Sequence, residues 1–144
     1  MKDTVAEIYK DGRYAASNPG CGEENTPWKA SQVLRMIRKA GLAPRTICEI
    51  GCGSGGILEY LHGNMEDSVV FTGIEPMPEA FARCSQKTRD RMTFRHCTAD
   101  AVQETSDLVL LLDVFEHVED YLGFLRSLRH LGQHFIFHIP LDMT

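Results

Sequence analysis

"ICEIGCGSGGILEYL", residues 47 to 61, places four glycines in six positions directly behind a short apolar run that carries one carboxylate, Glu49. Inside regular structure each glycine costs about 0.5–1 kcal/mol against alanine, so such a cluster marks backbone that needs unusual freedom or close approach. A strand ending in glycines that open a helix lets the backbone come near a ligand and aims free N–H groups at it. Gly51, Gly53 and Gly56 satisfy the spacing G-x-G-x-x-G, and Glu75 stands about 20 residues further on, where a ribose-binding acid belongs in a dinucleotide site. A glycine-rich turn that only packs tightly is the plain alternative. Glu49 weighs against a dinucleotide, because a carboxylate two residues before the first glycine would meet a pyrophosphate with like charge. It suits a cationic ligand.

Outward from this stretch the chain alternates. "TICEI" reads as a strand, the glycines open a helix, and "VVFTGI" is followed by a helix opening at Pro78. "MTFRHC" and "DLVLLLDVF" come next, then a helical face of Val118, Tyr121, Leu122, Leu125 and Leu128, and finally the strand-like "HFIFHI". Residues 108 to 112 are apolar at every position, which argues for a parallel sheet covered by helices on both faces, an α/β class. Before the glycines, Thr26 can cap a helix in which Pro27 takes the first position and Val33, Ile37 and Ala40 recur. Gly41 and Pro44 end that helix. Residues 1–27 read as a polar lead-in, and residues 28–144 as one domain.

Composition bounds the function. The 144 residues carry a formal charge of −5 with 43% hydrophobic content, and no run of lysine or arginine suggests a nucleic-acid groove or an anionic membrane surface. No segment reaches the ~20 apolar residues that cross a bilayer, and the first residues hold no signal-like apolar stretch. The expected partner is a small molecule, with no nucleic acid and no membrane. Cys21, Cys48, Cys52, Cys84 and Cys97 are scattered without a C-x-x-C pair, which favours free thiols in a reducing compartment and hence a cytoplasmic setting.

"EIGCGSGG" resembles the first motif of the Rossmann-like (class I) S-adenosylmethionine-dependent methyltransferases, an acid followed by G-x-G-x-G. Their cofactor has an ammonium and a sulfonium and no phosphate, which fits Glu49. "FTGIEPMPEAF" resembles the second motif and implies that Glu75 takes both ribose hydroxyls while Met77 packs against adenine. "CTADAV" resembles the third, with Asp100 toward the adenine amine and Ala101 as a backbone donor. "LLDVFEHVEDYLGFL" resembles the D/E-x-x-E-H stretch of small-molecule and quinone-type methyltransferases, which places Asp113, Glu116 and His117 beside the methyl group. The resemblance runs from about Thr46 to Pro140. It implies a Rossmann-like three-layer sandwich with strand order 3-2-1-4-5 and S-adenosylmethionine as cofactor, held by Glu49, Gly51, Cys52, Gly53, Gly55, Glu75, Met77, Asp100, Ala101 and Asp113. The implied reaction is methyl transfer to oxygen or nitrogen of a small acceptor.

Three roles stay open for Glu116 and His117. His117 can act as a general base, since imidazole is the side chain that ordinarily titrates near neutral pH. Asp113, Glu116 and His117 can hold a divalent metal, or Glu116 and His117 can merely start the next helix. Glu116 and His117 stand as the catalytic candidates, with no metal expected. His134 and His138 show i, i+4 spacing, but on a strand four residues span about 13 Å, too far for one ion. His138, near a strand end, can line the substrate mouth. Cys52 lacks a basic partner nearby in sequence and reads as a loop filler rather than a nucleophile. Tyr9, Tyr14 and Trp28 can form an aromatic lid.

Members of the resembling family have seven strands, whereas five are counted here, so the chain is expected to be cut short, with its fifth strand left as a bare edge prone to self-association. The signatures of amino-group and cytosine-carbon methylation are absent from the fourth strand. A nicotinamide oxidoreductase and a non-catalytic cofactor-binding module remain the competing readings.

Overall fold

A computed structural model describes residues 25–141. Five parallel strands form one sheet: β1 (Thr46–Ile50), β2 (Val70–Ile74), β3 (Met92–Arg95), β4 (Ser106–Leu112) and β5 (Gly132–His138), in the order β3-β2-β1-β4-β5. The helices are α1 (Thr26–Lys39), α2 (Gly56–Asn64), α3 (Pro78–Cys84) and α4 (Tyr121–Leu128), with single 3₁₀ turns between several elements. The expected Rossmann-like α/β fold and strand order are what the structure has. Most of the polar lead-in, with Tyr9 and Tyr14, lies outside the described residues.

Alternation along the strands sends side chains to two cores. Ile47, Phe71, Leu108, Leu110 and Ile136 pack with Ala30, Val33, Leu34 and Ile37 of α1 and Ile57, Leu58 and Leu61 of α2. Cys48, Ile50, Ile74, Val109 and Leu111 face the other way, onto Val102, Leu128 and Leu131. The continuous apolar run of β4 follows from this two-sided burial: Leu108 to Leu111 are fully buried, and each leucine removed from water contributes about 1.5–3 kcal/mol.

Two helix expectations need correction. Thr26 is the first residue of α1 and not its cap; Asn25 takes that position without a side-chain hydrogen bond. The predicted face from Val118 to Leu128 is interrupted because Asp120 caps α4, its carboxylate accepting from the Gly123 N–H at 3.0 Å, so Val118 precedes the helix. Of that face only Leu128 is fully buried, while Tyr121 and Leu122 are exposed.

All strands run the same way, so β1, β2, β4 and β5 deliver Glu49, Glu75, Asp113 and His138 to one edge of the sheet. The order reverses between β1 and β4, and a crevice opens at such a point beyond the carboxyl ends of the strands.

Candidate functional site

A cleft of about 380 Å³ occupies this crevice. It is walled by the end of β1 and the glycine loop, by Ile74 to Met77 after β2, by Thr98 to Asp100, and by Leu112 to Val114 after β4. Thr26 and Lys29 of α1 and Phe124 and Ser127 of α4 complete it.

The glycine loop is shaped from within. Gly51 and Cys52 both donate their N–H to the Ile74 carbonyl, at 2.8 and 3.0 Å; Gly55 donates to the Cys52 carbonyl at 3.0 Å, and Gly53 donates to Glu75 Oε2 at 2.8 Å. The expectation that this loop aims free amides at a ligand is therefore corrected for these four residues: sequence spacing reveals the turn but not where its N–H groups go. Gly51 is needed for another reason. Its φ is +71°, and a Cβ there would stand 2.7 Å from Val114 Cγ2. Gly55, at φ +84°, caps α2 and packs against Phe94 and Cys84, away from the cleft.

Glu49 is 2% exposed, lines the cleft, and its Oε2 bonds to nothing among the described residues. Burial first, then the nearby Glu75, Cys84 and Asp113, pushes its carboxyl well above the ordinary value, with Lys29 offsetting part of that. An unmet buried acceptor is expensive unless a ligand supplies a donor. Glu75 is also buried, and burial raises its carboxyl too, opposed by the N–H groups of Met77 and Gly53. Met77 donates to Oε1 at 2.8 Å. Each Glu75 oxygen thus accepts one backbone bond and keeps a second lone pair for a hydroxyl.

Asp113 stands in the left-handed region at φ +59°, which aspartate tolerates better than most residues. Its N–H donates to the His138 carbonyl at 3.0 Å, its Oδ2 accepts from Lys29 Nζ, and its Oδ1 lies 2.6 Å from His138 Nδ1. Burial pushes this carboxyl up, but the bonds from Lys29 and His138 outweigh it and leave the group below its usual range.

The cleft brings together Glu49, Gly51, Cys52, Gly53, Glu75, Met77, Asp100 and Asp113 of the predicted set. Four predicted residues do not line it. Gly55 has been described. Ala101 is exposed, and its N–H, expected as a ligand donor, is taken by the Thr98 carbonyl at 3.1 Å because a 3₁₀ turn closes there. Glu116 and His117 sit on a 3₁₀ turn outside the lining, with Glu116 Oε1 3.5 Å from His117 Nε2. Among the described residues no group of three His, Cys, Asp or Glu side chains is placed to hold a metal ion. Asp100 is exposed and accepts from Thr98 Oγ1. The Cys52 thiol, hydrogen-bonded to Cys84 and buried, is pushed well above its ordinary value, which suits a filler and not a nucleophile. Lys29 and Thr26 were missed, since no motif marks a helix residue that reaches a cleft only through tertiary packing.

Residues 24–142 match the model of a family described as a methyltransferase domain. The chain belongs to that family. Among curated methyltransferases it is similar to the ubiquinone biosynthesis O-methyltransferases of Pseudomonas paraeruginosa (strain DSM 24068 / PA7) and Pseudomonas aeruginosa (strain LESB58). With each it shares 33% identity over 98 residues, 65% of this chain and 42% of the relative. The chain thus spans about two fifths of the length of these relatives. In fold it is similar to the plantazolicin methyltransferase BpumL in complex with SAH, with a TM-score of 0.66 and 22% identity over 90% of this chain and 53% of that one. It is likewise similar to magnesium protoporphyrin IX methyltransferase (ChlM) from Synechocystis PCC 6803 with bound SAM, with a TM-score of 0.65 and 20% identity over 76% of this chain and 56% of that one. At such identities the structural likeness establishes a shared methyltransferase fold. No helix among the described residues is long and apolar enough to cross a membrane.

Proposed function

We propose that this chain carries the S-adenosylmethionine site of a methyltransferase that acts on a small molecule, with oxygen as the acceptor atom. The single observation behind this is the buried, unpartnered Glu49 Oε2 at the cleft. A carboxylate so placed calls for a cationic donor, and the cofactor's methionine ammonium is one. The free lone pairs of Glu75 suit two ribose hydroxyls, and Asp100 with the apolar Met77 and Ala99 suits adenine. Lys29, which also pairs with Asp113, is the only cation among the described lining residues and gives the methionine carboxylate a counter-charge. Bound there, the cofactor supplies an electrophilic methyl group on a sulfonium. The protein's part is to hold acceptor and donor in line, since charge is relieved rather than created and orientation provides most of the acceleration. Oxygen is favoured by the O-methyltransferase relatives. Four free thiols among the described residues agree with a reducing, cytoplasmic setting.

A dinucleotide is disfavoured on the same geometry. Its pyrophosphate would meet a loop whose amides at Gly51, Cys52, Gly53 and Gly55 are already bonded, beside two buried carboxylates. The deciding experiment is calorimetric titration with S-adenosylhomocysteine and, separately, with NAD. Saturable heat with the first and none with the second is expected; heat with NAD alone refutes the proposal. A chain that binds S-adenosylhomocysteine yet methylates nothing in a broad acceptor panel is a binding module.

A further inference from the structure

His138 has no task in the reading above, yet strand register and Asp113 hold it in place. The parallel register pairs Leu112 with His138, so the residue after β4 and the end of β5 lie side by side. Asp113 then grips His138 twice, through its backbone N–H to the carbonyl and through Oδ1 to the ring Nδ1 at 2.6 Å. The other Asp113 oxygen is tied to Lys29 from α1. An ionised carboxylate can only accept, so the proton of this contact belongs to Nδ1 and a neutral ring carries its lone pair on Nε2. Among the described residues nothing bonds to Nε2. Trp28, at the start of α1 and 58% exposed, meets the His138 ring edge-on with centroids 6.3 Å apart, which sets a flat apolar face beside the imidazole. His117, by contrast, has Glu116 against its Nε2; neither histidine is among the residues lining the cleft, but His138 is bonded to Asp113, which is.

A carboxylate oriented on one imidazole nitrogen with the other left open is the arrangement that makes histidine a proton acceptor of fixed tautomer. Such a base discriminates among acceptors. A carboxylic acid is already ionised at neutral pH and a neutral amine presents its lone pair unaided, whereas a hydroxyl gains nucleophilicity by losing its proton. We propose that His138, positioned by Asp113, is the general base that removes the proton from a hydroxyl of an aromatic acceptor seated against Trp28. This assignment rests on the methyltransferase reading. The acceptor O–H bond breaks toward Nε2 as oxygen bonds to the methyl carbon, and the carbon–sulfur bond breaks with its electron pair kept by sulfur. The sulfonium becomes a neutral thioether, and its positive charge is carried by the imidazolium beside Asp113 until water takes the proton. His138 is a catalytic residue in this scheme and Asp113 a positioning residue.

The test uses the full chain in two measurements. Nitrogen NMR of ¹⁵N-histidine-labelled protein should show His138 protonated at Nδ1 and bare at Nε2 when neutral, and Asp113→Asn should shift that tautomer balance; a wild-type ring protonated at Nε2 overturns the proposal. In the second, catechol is the hydroxyl probe and benzoate the carboxylate control, with S-adenosylmethionine as donor. Catechol should be methylated and benzoate not, and His138→Asn, whose amide can still donate to Asp113, should lower kcat for catechol at least ~100-fold. S-adenosylhomocysteine affinity should stay within about threefold, which also reports an intact fold. Wild type that binds S-adenosylhomocysteine but leaves catechol unmethylated, or His138→Asn turning over within threefold of wild type, refutes the role of His138. Failure of wild type to bind S-adenosylhomocysteine refutes the methyltransferase reading itself.

Discussion

Glu49→Gln separates the charge of this side chain from its shape, and the two have opposite effects with and without ligand. In the unliganded fold burial is the first cause that raises the Glu49 carboxyl, with repulsion from Glu75, Cys84 and Asp113 added. The folded state therefore holds a proton that the unfolded chain has already released in the ordinary carboxyl range. A group raised in this sense contributes stability that is complete below the unfolded pKa and is lost as pH rises toward the folded one. Glutamine has nothing to lose. The variant should match wild type near pH 4 and grow steadily more stable than it toward pH 8, as read by thermal melts without ligand. Binding runs the other way, because an ammonium favours the ionised carboxylate. A hydrogen bond to a charged group contributes about 1.5–3 kcal/mol, so the variant should bind S-adenosylhomocysteine about 10- to 150-fold more weakly at 1.4 kcal/mol per tenfold. Calorimetry in buffers of unlike ionisation enthalpy should show wild type releasing protons on binding, with that release gone in the variant. Equal affinity for the two proteins, or a variant less stable than wild type at pH 8 without ligand, would defeat the argument.

Three further outcomes are expected. Gly51→Ala should destabilise by about 1–2 kcal/mol from its left-handed backbone alone, with more from the 2.7 Å contact on Val114, whereas Gly63→Ala, in the last turns of α2 with nothing within 4 Å, should gain up to about 1 kcal/mol; urea melts that reverse this order contradict it. Burial, with Glu49 adding, pushes the Cys48 thiol up to about 12, so iodoacetamide at pH 8 should alkylate half-buried Cys97 well before Cys48, which is spared until the chain is denatured, as followed by mass spectrometry. Lys29→Met should weaken the fold more at about pH 6.5 than at about pH 3: despite burial, Lys29 and His138 depress the Asp113 carboxyl, so its contribution exists above the ordinary pKa and fades as pH falls through the folded one. Urea melts at both pH values check the sign.

Much of the architecture was legible because parallel strands buried on both faces carry long apolar runs. β1 has the bounds that "TICEI" suggested, and the run of β4 marked the middle of the sheet. Glu49, Glu75 and Asp113 were legible as acids where strand runs end. Lys29 was not, because its approach to Asp113 depends on how α1 lies across the sheet and not on any neighbour in sequence. The glycine amides were misjudged since composition reports conformational freedom, while their partners, Ile74 and Glu75, come from another strand. The α4 face failed for a local reason, the Asp120 cap starting the helix after Val118. Sequence alone places His138 only near the mouth. Its tie to Asp113 exists solely through strand register.

The amides of Gly51, Cys52, Gly53 and Gly55 have their partners before any cofactor arrives. A cradle assembled in advance needs no ordering on encounter, so little of the binding free energy is lost to freezing the loop. It also means that hydrogen exchange at those four positions should be slow in the empty protein and almost indifferent to occupancy, leaving recognition to the side-chain carboxylates that surround it.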